Sequence, residues 1–413
     1  MFLKKLVVRL KYAYLRCLEE DIFWTLTQVI IRTYKFLIYI LLLPITFTLR
    51  IFGYRFLTVN TARIGHLVGE VDCFLKMQEL DLINAGYKYF IFNDSTICNI
   101  KFWEYIKKKI LTIDNPILCF ILRYMCFGPG VRFNVSDYLL ALNQPAKYYE
   151  VCRRWGERPP IFSLDTGHIA SGVKILNALG VPIGEPYICI HIRTSGFSTK
   201  DDLVHQHRNF QLSTFKEAID EILSRGYYCI LMGDSSAERI SIRSQVIDYA
   251  HSEYKSDMMD VFLCATTKFF LGNSSGLFIL STAFGRPCAL SNMLPFACTG
   301  FTRKDISIPK LLKNLITGEY LKYSQILENG VANYRNAKQY EMSGIEVISN
   351  SGIDIRNLVC DMFAFLEQKI SSNEITRKNN YFLNKLQPNS YCFETSSYIA
   401  PSFIEKYNDI FDS

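Results

Sequence analysis

Between residues 187 and 292, short apolar runs alternate with stretches whose apolar residues recur every three to four positions. The short runs predict buried β-strands at 187–192, 227–232, 245–248, 268–271 and 287–291. The amphipathic stretches predict helices at 214–225, 256–265 and 277–284. Strands that are apolar along their whole length and alternate with helices are typical of a parallel sheet covered on both faces.

The rest of the chain shows a weaker version of this pattern. Before residue 187 it predicts strands at 55–60, 87–92 and 161–164, and helices at 70–86, 101–126 and 136–155. After residue 300 it predicts helices at 308–341 and 354–370, and a loosely packed tail from about residue 371. We therefore expect an α/β protein divided into residues 1–52, a first domain at 53–180, a second at 181–345, and helices and tail at 346–413.

Charge is concentrated at the N-terminal end. Residues 1–55 hold nine Lys and Arg and three acidic residues, a net charge of +6, and the whole chain carries +7. A nucleic-acid-binding protein would carry basic charge on its folded body, so this distribution argues against that class. It favours contact between a basic segment and anionic lipid.

The longest apolar run, Phe36–Leu49, contains Pro44 and is shorter than the roughly 20 residues that span a bilayer. Lys35 and Arg50 flank it, which is typical of a helix lying in the membrane interface. A buried core helix and a true span are the alternatives. The 13 cysteines are scattered without a Cys-x-x-Cys pair and no signal peptide is evident, so we expect a cytoplasmic protein. Together with the basic, apolar N-terminal segment, this predicts a protein that is peripheral at the inner face of the cell membrane.

The turn Gly272-Asn273-Ser274-Ser275-Gly276 separates a predicted strand from a predicted helix. Small residues there leave backbone N–H groups free to bind an anion, although a simple helix cap would look the same. The turn also matches the G-x-S-x-G nucleophile elbow of α/β-hydrolases. That enzyme class needs a histidine later in the chain, and none follows Ser274, so we reject it.

Ligands of parallel α/β sheets bind beyond the carboxyl ends of the strands, where further polar residues occur in this chain. Arg193 follows the strand at 187–192 and offers a fork of donors to phosphate oxygens, the alternative being an ion pair with Asp234 or Asp257. His191, two residues earlier, is either a second donor-site residue or a satisfied core histidine.

The loop at 200–208 is dense in titratable groups. Arg208 is a candidate second phosphate contact, and Asp201 and Asp202 are candidate bases. His205 and His207 lack a partner pair at zinc-type spacing, so we expect no metal site.

In the first domain, His66 follows Gly65 at a strand-to-helix turn. Histidine has the pKa for proton transfer near neutrality, which makes His66 a candidate base, although an ordinary turn histidine is the simpler interpretation from the residues alone.

Several segments together resemble a family of bacterial glycosyltransferases of surface-polysaccharide biosynthesis. The likeness covers roughly residues 55–295 and is carried by TARIGHLVGEVDCF at 61–74, CIHIRTSGF at 189–197 with Arg208-Asn209, LMGD at 231–234, YAHSEYKSDMMDVFLCATTKFFLGNSSGL at 249–277, and FGRPCALSN at 284–292. The His-x-Arg element is also similar to that of fucosyltransferase-type enzymes.

The resemblance implies a GT-B-like fold, in which two Rossmann-like domains face a cleft and residues after about 345 pack back on the N-terminal domain. It implies a glycosyltransferase that moves a sugar from a nucleotide diphosphate donor to a lipid-linked or growing glycan. Because the chain has neither zinc-type spacing nor an Asp-x-Asp pair, we expect this enzyme to be metal-independent and to use no cofactor. The acceptor would bind at 53–180 and the donor at 181–345. His66, Arg193, Asp201 and Asp202 are then the candidate catalytic residues.

The residue chemistry and the resemblance together assign the two parts of the donor to separate sets of residues. Its diphosphate would contact His191, Arg193, Arg208, Asn273, Ser274, Ser275 and Gly276, and its nucleotide would contact Gly233, Asp234 and Asp257. The rival interpretations are a nucleotide-sugar epimerase or another phosphate-ligand enzyme on the same scaffold, and a non-catalytic subunit of a polysaccharide assembly complex.

Overall fold

The computed structural model describes residues 22–93, 96–135, 147–192, 212–234, 236–237, 239, 244–273, 275–296 and 298–411. Its helices, α1 to α15 in chain order, are Ile22–Ile51, Ile64–Glu79, Ile100–Lys107, Pro116–Met125, Lys147–Trp155, Thr166–Ala178, Lys216–Ser224, Asp257–Thr266, Phe278–Ala283, Tyr323–Glu328, Ala337–Met342, Gly352–Leu366, Ser372–Lys385, Pro401–Lys406 and Asn408–Phe411. Its strands, β1 to β13, are Tyr54–Thr58, Lys88–Phe92, Leu111–Ile113, Arg132–Asn134, Tyr187–His191, Tyr228–Met232, Val246–Ile247, Phe270–Gly272, Cys288–Met293, Ile306–Pro309, Leu311–Asn314, Ile345–Ile348 and Tyr398–Ile399.

The strands form two parallel sheets and one antiparallel pair. The first sheet has the order β3-β2-β1-β4, and the second has the order β13-β10-β9-β8-β5-β6-β7. Strands β11 and β12 pair in antiparallel fashion. The mixed α/β class with parallel sheets is confirmed and is consistent with a GT-B-like fold.

The described residues divide into two compact units. The first takes those of Met1–Thr58, Ala85–Asp94 and Ile110–Asn134, and the second takes those of Val59–Asn84, Ser95–Lys109 and Val135–Ser413. The first unit therefore holds the four-stranded sheet with α1 and α4, and the second holds the seven-stranded sheet with α2 and α3. The four-part division at residues 52, 180 and 345 stays a prediction.

The predicted strands of the second sheet are largely apolar and buried. Cys189, Cys229, Cys264 and Cys288 are all buried and pack as small apolar side chains. The predicted strand at 245–248 is present in shortened form as β7.

Three predicted elements are wrong. Residues 161–164 form no strand, although Phe162 is buried and its ring packs against Phe102, with ring centroids 4.8 Å apart. Residues 101–126 are two helices separated by β3, and Asn115 caps the second helix by accepting hydrogen bonds from the backbone N–H groups of Ile117 and Leu118. Residues 308–341 begin with strands rather than a helix.

The C-terminal region also differs from expectation. Helix α12 packs on α7 and on strands β9 and β10, so it belongs to the seven-stranded sheet rather than to the N-terminal domain. The tail from residue 371 is well packed: Ile375 and Phe382 are buried, and β13 pairs with β10. Its apolar residues supply the core contacts that its Asn- and Ser-rich composition concealed.

Helix α1 extends well beyond the predicted apolar run at 36–49. It has 30 residues and continues through Pro44, near which Thr46 and Thr48 donate hydrogen bonds to the carbonyl oxygens of Leu42 and Pro44. Within the described residues it is the one helix long and apolar enough to cross a membrane, over Leu26–Ile51.

Candidate functional site

Three strands of the second sheet end side by side. His191 at the end of β5 is in register with Met232 of β6 on one side and with Gly272 of β8 on the other. The polar residues that follow these strands therefore share one carboxyl edge, as the alternation of strands and helices predicted. This edge lies within the second compact unit.

The turn after β8 is tied to the strand beside it. His191 Nδ1 is hydrogen-bonded to Ser275 Oγ at 3.0 Å, and the backbone N–H of Ser275 donates to the carbonyl oxygen of Asn273 at 2.6 Å. Asn273 is fully buried. The helix that follows, α9, has only six residues, so its dipole adds less positive potential than the predicted helix at 277–284 would.

Two glycines bring α2 against this turn. A Cβ atom on Gly65 would lie 2.7 Å from the Cα of Gly276, and a Cβ on Gly276 would lie 2.9 Å from the backbone nitrogen of Gly65. Neither position has room for a side chain, so the first turn of α2 touches the turn that follows β8. The structure thereby brings the Gly65-His66 segment and the 272–276 turn together.

His66 is held by a carboxylate one helical turn later. Its Nδ1 lies 2.6 Å from Oε1 of Glu70, whose side chain is fully buried, whereas 31% of the His66 side chain is exposed. The other oxygen of Glu70 accepts a hydrogen bond from the backbone N–H of Asn60 at 3.2 Å. An ionised Glu70 makes Nδ1 the donor, which leaves Nε2 with its lone pair to accept a proton.

Glu70 was not among the residues selected from the sequence. The helix was predicted to begin at about residue 70, whereas α2 begins at Ile64. The spacing of four residues would have indicated the pair had the helix been extended to the preceding turn.

A buried ion pair anchors the same helix. Lys76 Nζ lies 2.6 Å from Oδ2 of Asp72, which also accepts a hydrogen bond from the Tyr148 hydroxyl of α5. Burial lowers the pKa of Lys76, but the charge of Asp72 outweighs it and holds the pKa above its ordinary value. These contacts join α2 to α5 and limit how far His66 can move.

The residues assigned to the nucleotide are placed as follows. Gly233 and Asp234 follow β6 at the carboxyl edge, where Asp234 Oδ1 accepts hydrogen bonds from the N–H and hydroxyl of Ser236. Asp257 begins α8, and its carboxylate accepts a hydrogen bond from the backbone N–H of Ile100 at 2.7 Å. This contact joins α8 to α3, and the nucleotide-binding role of Asp257 stays a prediction.

Several candidates lie outside the described residues, namely Arg193, Asp201, Asp202, Arg208 and Ser274, together with His205 and His207. In the part of the chain that the structure does describe, no group of three or more His, Cys, Asp and Glu side chains could hold a metal ion. Metal independence stays a prediction.

A buried lysine lies at the same edge and was not predicted. Lys310 directly follows β10, is 2% exposed, and its Nζ lies 3.3 Å from Ser349 Oγ. Burial lowers its pKa to about 7. Nearby, the backbone N–H groups of Asn292 and Asn350 each donate to the other's side-chain oxygen, at 2.6 and 2.8 Å.

No protein-family model matches the chain, and no curated protein matches it. Among solved structures, the bacterial iron-containing dodecameric glycosyltransferase TibC from enterotoxigenic E. coli is 16% identical over 59% of each chain, with a TM-score of 0.35. A family 9 glycosyl transferase from Veillonella parvula is 10% identical over 57% of this chain and 80% of its own, with a TM-score of 0.35.

The E. coli ADP-heptose LPS heptosyltransferase II is 12% identical over 76% of this chain and 100% of its own, with a TM-score of 0.39. The match to TibC, in contrast, covers only about three-fifths of the length of that protein. All of these TM-scores are below 0.5.

Proposed function

We propose that the protein is a glycosyltransferase that moves a sugar from a nucleotide diphosphate donor to a lipid-linked or growing surface glycan. One observation carries the proposal: His66, oriented by the buried carboxylate of Glu70, lies on the helix turn that contacts the 272–276 segment. A base and a candidate diphosphate-binding turn are thereby adjacent at the carboxyl edge of a parallel sheet.

The proposed reaction uses the free nitrogen of His66. Nε2 takes the proton of the acceptor hydroxyl as the hydroxyl oxygen attacks the anomeric carbon. The bond from that carbon to the diphosphate breaks, and nucleoside diphosphate leaves with the electron pair. Glu70 is a positioning residue, because it fixes the tautomer and orientation of the imidazole and stabilises the imidazolium that forms.

Charge on the leaving diphosphate needs donors that exist before the reaction. We assign this role to Arg193 and Arg208, with the backbone and side chains of the 272–276 turn and His191. Gly233, Asp234 and Asp257 are assigned to the nucleotide. Asp201 and Asp202 are the alternative bases. If one of them is the base, a protein without the His66 imidazole should keep its activity.

The test measures release of nucleoside diphosphate from a panel of nucleotide sugars by the full-length protein with a membrane glycolipid extract as acceptor. The panel includes ADP-heptose, the sugar nucleotide bound in a TibC structure. Loss of a general base lowers the rate by about 10²- to 10⁴-fold, which is the loss expected for His66→Ala.

For Glu70→Gln we expect a smaller loss of kcat, on the order of tenfold to a hundredfold, with the KM for the donor unchanged. Glu104→Gln is the matched control, because it also removes one helical carboxylate, but from an exposed pair with Lys101. Free sugar-nucleotide isomers without nucleotide release would identify an epimerase. If no nucleotide raises the melting temperature of the folded protein, and neither the wild type nor any variant turns over, the non-catalytic subunit is favoured.

A further inference from the structure

Helices α1 and α4 of the first compact unit share a seam. Tyr39, Leu42, Thr46 and Leu49 follow one another at intervals of three or four residues, so they lie on one face of α1. Leu42 and Leu49 pack against the core cluster that contains Leu122 of α4. The C-terminal half of α1 is therefore part of the folded unit.

The same seam extends to the turn that follows α4. The rings of Tyr39 and Phe127 lie 6.4 Å apart, and a Cβ on Gly130 would lie 2.9 Å from the methyl carbon of Thr46. Thr46 is itself buried. Since α1 is fixed at several points along this half, it does not project away from the unit as a separate anchor.

Both helices leave large apolar side chains in solvent. On α4 these are Ile117, Leu118 and Phe120, with 70%, 50% and 53% exposed. On α1 they are Leu26, Val29, Ile30, Ile31, Tyr34, Phe36, Leu37, Ile40, Leu41, Leu43, Ile45, Phe47 and Ile51. We call these two sets of side chains the α1/α4 surface. An apolar surface of this extent marks a binding site for an apolar partner.

Charge identifies the partner. The described residues of the first unit contain seven basic side chains and one acidic side chain, Asp114; the basic ones are Arg32, Lys35, Arg50, Arg55, Lys88, Arg123 and Arg132. A large apolar surface on a unit with this excess of positive charge fits an anionic lipid bilayer, which offers acyl chains below a layer of negative headgroups.

The positions of two charges decide how α1 meets the bilayer. If Leu26–Ile51 crossed the membrane, Lys35 would lie about 5 Å and Arg32 about 10 Å from the middle of the span, at 1.5 Å per residue. Charged side chains are costly at that depth. In a helix parallel to the membrane, both can extend to the headgroups while their neighbours enter the acyl layer.

We propose that the α1/α4 surface binds one leaflet of an anionic membrane, with α1 lying in the plane of the interface and α4 inserted beside it. The protein is then monotopic, and α4 is a second membrane-contacting element besides the N-terminal segment.

The test is co-flotation of the full-length protein with vesicles of phosphatidylcholine containing about 30% phosphatidylglycerol, against pure phosphatidylcholine. We expect the wild type to float with the anionic vesicles, and Ile117→Ser/Phe120→Ser to lower the bound fraction at least about tenfold, because two exposed apolar side chains no longer enter the lipid. The matched control is Ile316→Ser/Met342→Ser, which changes two exposed apolar residues of the second unit and should float like the wild type.

A second measurement does not depend on losing apolar surface. In a Trp24→Phe background, which removes the native tryptophan of α1, the tryptophan fluorescence of Phe120→Trp should be quenched by lipids brominated on their acyl chains. The fluorescence of Ile316→Trp in the same background should not be quenched. Normal flotation of Ile117→Ser/Phe120→Ser, or an unquenched Phe120→Trp, would exclude α4 from the membrane and overturn the proposal. Absence of wild-type flotation, with a soluble dimer that dissociates in Ile117→Ser/Phe120→Ser, would instead assign the surface to a second copy of the chain.

Discussion

Replacing Gly65 by alanine tests the contact on which the proposed active site depends. The new Cβ would lie 2.7 Å from the Cα of Gly276, whereas ordinary contacts of this kind are 3.4–4 Å. Helix α2 and the 272–276 turn must therefore separate by the difference, 0.7 to 1.3 Å. Both neighbours are backbone atoms, so no side-chain rotation relieves the overlap.

Two effects on stability oppose each other in Gly65→Ala. Alanine stabilises a helix by at most about 1 kcal/mol relative to glycine. Forcing an extra carbon into a packed interface costs about 1–3 kcal/mol. We expect a net loss of about 1–2 kcal/mol in the free energy of unfolding, measured by urea denaturation.

The effect on catalysis should be larger than the effect on stability. A displacement of about 1 Å at a reacting group costs about 10²-fold in rate. If His66 acts on a substrate held by the 272–276 turn, Gly65→Ala should lower kcat by about that factor while the protein stays folded. The readout is nucleoside diphosphate release at saturating donor.

Gly167 provides the matched control. It is the second residue of α6, as Gly65 is the second residue of α2, and a Cβ there would meet only Asp165 Oδ1 at 3.7 Å. Gly167→Ala should be neutral or stabilising, with unchanged turnover. If Gly65→Ala unfolds at the same urea concentration as Gly167→Ala and keeps wild-type kcat, the contact between α2 and the turn has no part in the reaction.

Two further predictions concern the carboxyl edge of the second sheet. Burial lowers the pKa of Lys310 from 10.5 to about 7, so the unfolded chain binds the extra proton more tightly and wild-type stability falls as pH decreases from about 10.5 to 7. The free energy of unfolding of Lys310→Met, measured in urea, should therefore exceed that of the wild type by up to about 2 kcal/mol at pH 9 and up to about 5 kcal/mol at pH 6. An equal gain at both pH values would contradict the lowered pKa. The side chain of Asn350 accepts a hydrogen bond from the backbone N–H of Asn292 and donates one to the carbonyl oxygen of Pro309 at 2.8 Å. Asn350→Ala should therefore lower the free energy of unfolding by about 2–4 kcal/mol. The control is Asn389→Ala at an exposed position, which should cause no measurable change. A small effect at Asn350 would mean that water replaces both bonds.

The carboxyl edge of the second sheet could be predicted because its determinants are local. Strands β5, β6 and β8 are short, largely apolar runs, and His191, Gly233-Asp234 and Gly272-Asn273 mark where these strands end. Parallel alternation then places those ends together without knowledge of the strand order.

The partner of His66 could not be found in the same way. Helix α2 begins after Arg63, whose side chain makes no capping hydrogen bond, so the sequence lacks the Ser, Thr, Asp or Asn that usually indicates a helix start. If the helix is taken to start at residue 70, His66 lies outside it and is not placed on the same face as Glu70. The contact between Gly65 and Gly276 is more remote still, because it joins residues more than 200 positions apart.

The pairing of β13 with β10 has a consequence for how the protein is made. Tyr398 pairs with Ile306, 92 residues earlier in the chain, so during synthesis β10 is complete long before its outer neighbour leaves the ribosome. In that interval its unpaired N–H and C=O groups are open to any other extended segment. A nascent chain, or a truncated form ending before residue 398, is therefore the species most exposed to edge-to-edge aggregation, and it would depend on chaperones more than the finished protein does.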